Sequence, residues 1–171
     1  NNGTAFIENS TWQNYITGGD GASSGSVNLG DIDNDGDLDL IMMDMGSASK
    51  SVWINNGTTF INSSIWSQDA LDSVLTSNVL VDIDNDNDLD SLVSGYHNGP
   101  IYINNGTTLE LSSIWYAPLG DHVSIAVGDV DNDGDMDVFA QRLAGACGSS
   151  SVFAQNNGSE LTRNTTYESN L

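Results

Sequence analysis

Asp31-Ile32-Asp33-Asn34-Asp35-Gly36-Asp37-Leu38-Asp39 is the stretch on which the reading of this chain turns. The pattern returns as Asp82-Ile83-Asp84-Asn85-Asp86-Asn87-Asp88-Leu89-Asp90, and again as Asp129-Val130-Asp131-Asn132-Asp133-Gly134-Asp135-Met136-Asp137. Fifteen of the twenty aspartates lie in these three nonapeptides. Five carboxylates so close together repel one another, and the loop stays folded only if a cation sits among them.

The surrounding chain repeats with the loops. Asn-Asn-Gly-Thr/Ser begins at Asn1, Asn55, Asn104 and Asn156. Eleven residues after each start comes an aromatic: Trp12, Trp66, Trp115 and Tyr167. The unit is therefore ~50 residues long, in the range of repeat architectures. Each unit reads as four short strands. In the first, residues 26–30 enter the acidic loop and residues 38–43 leave it. Residues 51–55 form a third strand, and residues 58–66, rich in Thr, Phe, Ile and Trp, form a fourth. Asn56-Gly57 between them predicts a two-residue type I′ hairpin turn. The second unit matches at 79–81, 89–93, 101–104 and 107–115. The third matches at 123–127, 136–140, 152–155 and 160–167. No segment carries helical periodicity over ten residues. Residues 4–12 are a fourth-strand segment without a unit of its own.

The chain has 171 residues and a formal charge of −21, with Lys50, Arg142 and Arg163 the only cationic side chains besides two histidines. So few cations exclude nucleic acid, whose phosphates must be neutralised by Lys and Arg, and disfavour anionic membrane surfaces. No apolar run approaches the ~18 residues of a membrane span. The lone Cys147 excludes an internal disulfide framework and reads as a small buried residue, with an intermolecular disulfide as the alternative. The opening residues already belong to a repeat, which suits a mature or excised portion of a longer product.

Loop spacing points to calcium. Hard cations take six to eight oxygens at about 2.3–2.6 Å. Side chains at positions 1, 3 and 5 of a tight loop converge, Gly at position 6 permits the turn, and position 7 offers its carbonyl. An EF-hand would need a bidentate Glu at position 12 and a following helix. Position 12 here is Met42, Val93 or Ala140, and a strand follows. Position 9 (Asp39, Asp90 or Asp137) closes the site instead. Mg²⁺ demands stricter octahedral geometry, so Ca²⁺ is favoured.

The pattern Asp-x-Asp-x-Asp-Gly-x-x-Asp, with Leu or Met at position 8 and a strand after it, resembles the FG-GAP and VCBS repeats of integrin-α-like β-propellers. The resemblance covers nearly the whole chain. It implies four-stranded antiparallel blades, each with Ca²⁺ between its first two strands, and three calcium sites in all. By that match Asp31, Asp33, Asp35 and Asp39 are side-chain ligands and Asp37 gives its carbonyl. Asp82, Asp84, Asp86, Asp88 and Asp90 correspond in the second loop, and Asp129, Asp131, Asp133, Asp135 and Asp137 in the third. Asn87 stands where the loop Gly is expected, which implies a working but weaker site. Phe-Gly and Gly-Ala-Pro signatures are absent, which favours the VCBS-like branch. Propellers of this kind close with about seven blades, and three cannot close such a ring.

Seven Asn-x-Ser/Thr sequons occur, at Asn2, Asn9, Asn56, Asn62, Asn105, Asn157 and Asn164. Asn2, Asn56, Asn105 and Asn157 recur at one phase of the repeat and mark candidate N-glycan sites in a secreted protein. The recurrent aromatics, with Trp53 and Tyr102, read as packing between blades; sugar-stacking platforms are the alternative. His97 and His122 share no repeat position, and no nucleophile–base set or carboxylate pair suggests catalysis.

The expected architecture is all-β: one repeat domain over 1–171, with a partial repeat at 1–12 and incomplete-propeller blades at 24–66, 76–115 and 123–167. The expected function is an extracellular calcium-stabilised structural or adhesive module that is not an enzyme. Its open blade edges would assemble it into a homo-oligomer or filament, with residues 4–12 able to complete a neighbour's sheet. The alternatives are a carbohydrate-binding lectin-like propeller and a fragment of a larger cell-surface propeller.

Overall fold

The apolar and β-branched runs on either side of each acidic loop pair with one another as strands. The computed structural model describes residues 24–44, 50–66, 75–95, 99–112, 122–142 and 151–165. The strands are β1 (Ser24–Gly30), β2 (Asp39–Asp44), β3 (Lys50–Asn55), β4 (Phe60–Ser63), β5 (Leu75–Val81), β6 (Asp90–Gly95), β7 (Ile101–Asn104), β8 (Leu109–Leu111), β9 (His122–Gly128), β10 (Asp137–Arg142), β11 (Val152–Asn156) and β12 (Leu161–Arg163). They form three antiparallel sheets in sequence order: β1 to β4, β5 to β8 and β9 to β12. This is an all-β, propeller-type set of blades without a closed sheet. The 4–12 segment, Asn2, Asn9, His97 and Cys147 lie outside the described residues.

Register places each acidic loop at the same corner. Gly30 pairs with Asp39, Val81 with Asp90 and Gly128 with Asp137, so each loop is the connection between strands one and two. The fourth strands are shorter than expected, and residues 64–66 form a turn rather than strand. The Asn-Gly turn also differs from a two-residue hairpin. Residues 56–59 lie between β3 and β4, and Asn56 N donates to the Thr59 carbonyl at 3.2 Å. Gly57 takes φ 79°, whereas Asn56 is not among the positive-φ residues. The cause is the Asn56 side chain. Its Oδ1 accepts from Thr58 N, Thr58 Oγ1 and Thr59 N, holding the chain in a wider loop. Asn105 and Asn157 accept the same three bonds.

Two apolar cores lie between consecutive blades. Ile32, Ile41, Met43, Val52 and Trp66 of the first blade meet Val93, Tyr102 and Leu109 of the second. On the other side, Val81, Ile83, Leu92 and Ile101 of the second blade meet Ile125, Val138, Ala140, Ala154 and Leu161 of the third. Neighbouring residues on a strand face opposite ways, so Leu92 turns toward the third blade and Val93 toward the first. β6 is therefore buried on both faces along its whole length. Between the inner strands the contact is partly polar: Asn28 Nδ2 donates to the Asn78 carbonyl at 2.8 Å, and Ser26 Oγ donates to Asn78 Oδ1 at 3.0 Å.

Leu92→Ala should cost about 2–5 kcal/mol, because it opens a cavity between two blades. Ile61→Ala, on an exposed side chain of β4, should stay within about 0.5 kcal/mol. Urea unfolding of the two variants checks the contrast.

Candidate metal centre

Tight winding of the acidic loops rests on left-handed residues at two places. Position 4 is Asn in every loop, with φ of 60° at Asn34, 63° at Asn85 and 62° at Asn132. Position 6 is Gly36 at 94°, Asn87 at 74° and Gly134 at 98°. Asn87 thus adopts the turn that Gly makes elsewhere, as its short polar side chain permits. Its N still donates to Asp82 Oδ2 at 3.0 Å, matching Gly36 to Asp31 at 3.0 Å and Gly134 to Asp129 at 3.1 Å.

Carboxylates converge inside each turn. One oxygen from each of Asp31, Asp33 and Asp39 lies within 4.8 Å of the others; the same holds for Asp82, Asp84 and Asp86, and for Asp129, Asp131 and Asp137. Two oxygens on one calcium at about 2.4 Å can stand no more than about 4.8 Å apart. The residues fit such an ion in a second way. Asp31 Oδ1 and Asp84 Oδ1 are sealed from solvent and meet no hydrogen-bond donor. A buried anionic oxygen without a partner is costly, and a cation would satisfy both.

The expected ligands separate into two sets. Asp35, Asp90 and Asp133 lie outside the tightest groups but within the same turns. Asp37, Asp88 and Asp135 turn their carboxylates away from the loop interior. Asp88 Oδ1 accepts from Asn34 Nδ2 at 2.5 Å and Asp135 Oδ1 from Asn85 Nδ2 at 2.6 Å, each from the preceding blade's loop. Asp37 Oδ2 approaches the hairpin at Gly57.

Position 9 is the buried anchor. Asp39 and Asp90 are wholly inaccessible and Asp137 nearly so. Asp39 Oδ2 accepts from Ile32 N at 2.8 Å and its Oδ1 from Asn55 N at 2.8 Å. Asp90 holds Ile83 N and Asn104 N, and Asp137 holds Val130 N and Asn156 N, all at 2.8–2.9 Å. Each carboxylate therefore ties the loop to the end of the third strand. Asn55, Asn104 and Asn156 sit at that junction. Asn104 Nδ2 donates to the Leu89 carbonyl and, across the blade boundary, to the Ile32 carbonyl at 2.8 Å. Asn156 Nδ2 likewise reaches Met136 in its own blade and Ile83 in the preceding one, at 2.9 Å for the latter. Sequence reasoning read this asparagine only as the start of the Asn-Asn-Gly anchor at the end of the third strand. The signal that could have found its second role is its recurrence as the first residue of every Asn-Asn-Gly anchor.

Burial raises Asp33, Asp39 and Asp84 above the ordinary aspartate value of 3.8, with repulsion from neighbouring loop carboxylates adding to it. Asp90 is pushed up to about 7: burial dominates, backbone N–H donors from Asn104 and Ile83 oppose it, and Asp84 and Asp86 add repulsion.

Of the candidate glycan sites, Asn56, Asn62, Asn105 and Asn157 are exposed and Asn164 is half-buried, with Nδ2 donating to Gln155 Oε1. Asn105 Nδ2 is engaged by Glu110 Oε1 at 2.9 Å. Trp66 and Tyr102 are packed in the core at 7% and 3% exposure.

A comparison with known families agrees with the loop geometry. Residues 82–140 match the FG-GAP-like repeat. The FG-GAP-like span runs from the first carboxylate of the second loop into β10, so it holds the second and third loops whole. The first loop lies outside the span, yet repeats the FG-GAP-like turn bond for bond at positions 2, 6 and 9. No curated protein and no solved structure gives a significant match.

Two outcomes follow from this geometry. Asn104→Ala and Asn156→Ala should each cost about 1–3 kcal/mol by orphaning buried carbonyls. Asn55→Ala should cost less, since Asn55 Nδ2 reaches only the Leu38 carbonyl among the described residues; chemical denaturation ranks the three. The second outcome concerns pH. In the metal-free chain the raised carboxyls hold protons that the unfolded chain releases. For Asp90 the stabilising contribution is full below about pH 4 and is lost as pH rises through about 7. Melting of the metal-free protein should therefore move up as pH falls from about 8 to about 5, while calcium affinity moves down. Calorimetry at the two pH values reads both.

Proposed function

We propose that this chain is an extracellular structural or adhesive repeat module, without catalytic activity, whose blades are stapled by one calcium ion per acidic loop. The observation that carries the metal reading is the pair of sealed, donor-less oxygens on Asp31 and Asp84 inside carboxylate groups of calcium size. Asp31, Asp33, Asp35 and Asp39, with their counterparts in the other loops, would supply side-chain oxygens. Asp37, Asp88 and Asp135 would supply carbonyls. When bound, the ion supplies charge neutralisation between strands one and two; the role is structural. None of the described helical or strand elements is a helix long and apolar enough to cross a membrane.

An extracellular setting suits this chemistry, because calcium is plentiful there and weak sites of this class fill at about 10⁻⁴–10⁻³ M. N-glycans on the exposed turns at Asn56, Asn105 and Asn157 would suit the same setting. Assembly through unpaired blade edges completes the reading. The lectin alternative is disfavoured by Trp66 and Tyr102, whose buried rings offer a sugar no face to stack on.

Calorimetric titration should find three calcium ions per chain, with the second loop weakest and strengthened by Asn87→Gly. Each site held at about 100 times its Kd adds about 2.7 kcal/mol to stability, so chelation should lower the melting temperature sharply. An unchanged melting curve in excess chelator would overturn the proposal.

A further inference from the structure

The two boundaries between blades share elements of one joint, and matching halves of those elements stand exposed on the third blade and on the first. Three elements make the joint. The first is a seat and a knob, made at the first boundary only, since Val81 stands at the seat position of the second. At Gly30 a β-carbon would stand 2.7 Å from Leu80 Cδ1 and 2.8 Å from Leu89 Cδ1, so both leucines of the second blade rest on bare backbone of the first. Their counterparts on the first blade, Leu29 and Leu38, are 58% and 55% exposed. The counterpart of Gly30 on the third blade is Gly128, where a β-carbon would meet nothing within 4 Å. The seat position of the third blade and the knobs of the first blade are thus both exposed.

Position 2 of the loop is the second element. Ile32 and Ile83 are 0% exposed, each covered by the following blade, whereas Val130 is 50% exposed. The Ile32 and Ile83 carbonyls accept from Asn104 and Asn156 of the following blade. Asn55, their counterpart on the first blade, donates only within its own blade among the described residues. The third element is the exposed loop-to-loop bond. Asn34 reaches Asp88 and Asn85 reaches Asp135. That order leaves Asn132 on the third blade and Asp37 on the first without such a partner among the described residues.

We infer that these two faces are one interface: the third blade of one copy of this chain docks on the first blade of a second copy, head to tail, by the joint the chain already makes internally. Gly128 receives Leu29 and Leu38, the Val130 carbonyl receives Asn55, and Asn132 donates to Asp37. The inference deepens the assembly reading above by naming the partner and replacing strand-edge pairing with face-to-face packing. Because the two faces differ, the contact is heterologous and propagates from copy to copy.

The test uses the whole chain at saturating calcium, with sedimentation velocity across a wide concentration range. Wild type should self-associate as concentration rises. Gly128→Glu spoils only the seat, and Leu29→Glu spoils only a knob; both lie where a new side chain meets open space. Each variant alone should raise the apparent dissociation constant at least about tenfold, equivalent to about 1.4 kcal/mol. Mixed together, the two variants should form a one-to-one dimer that grows no further, since each supplies the face the other lacks. Ile65→Glu, on an exposed turn away from both faces, should assemble as wild type does. Near-ultraviolet dichroism and calcium titration of every variant report that it is folded and loaded. A calcium-loaded wild type that stays monomeric, single variants that assemble undiminished, or a mixture that fails to dimerise would each overturn the inference. A chain that assembles without taking up calcium overturns the metal reading instead and leaves this one standing.

Discussion

A carboxylate with no access to water anchors every blade. Asp39, Asp90 and Asp137 sit where the acidic loop re-enters the sheet, and each is held by one N–H from the loop and one from the third strand. A buried charge is tolerated only with such donors or a counter-ion. Satisfying it dictates the rest of the loop. The chain must wind tightly enough to return its own N–H to the carboxylate, hence the left-handed Asn at position 4 and Gly or Asn at position 6. Tight winding in turn crowds further carboxylates together, and burial with that crowding holds Asp33 and Asp84 above the ordinary aspartate value.

Stability is then passed from blade to blade rather than held in one core. Each sheet is too small to bury its faces alone, and apolar side chains become inaccessible only where another blade covers them. This is the quasi-one-dimensional logic of repeat proteins, in which each unit depends on its neighbours. The middle blade shows it most plainly, with β6 closed on both faces. The same loop position passes from wholly buried in the first two blades to half exposed in the third. Polar contacts follow the apolar ones. Asn104 and Asn156 each fill a carbonyl of the preceding blade's loop, so folding of that acidic loop is coupled to docking of the next blade.

This coupling explains why a chain so rich in negative charge can be organised around its most acidic segments. The loops are at once the largest source of repulsion and the points through which blades are locked. A cation in each loop would relieve the first and stiffen the second.

Three in-register repeats of Asp-x-Asp-x-Asp were enough to place the acidic turns, because ligand spacing and the need for φ > 0 are local properties of the chain. Strand order was legible for the same reason: each unit alternates apolar runs with turn residues, and consecutive strands pair. The width of the Asn-Gly loop was not legible, since dipeptide preference points to a two-residue turn, whereas the Asn56 side chain captures three donors and opens it. Nor was the second role of Asn104 and Asn156 visible, because the carbonyl each meets lies 72 or 73 residues away in the chain. Sequence by itself determined the loops, the repeat and the sheets, all of which depend on residues near one another along the chain. Only the tertiary structure decided which faces are covered and which stand open, because burial depends on whether a neighbouring blade is there to exclude water.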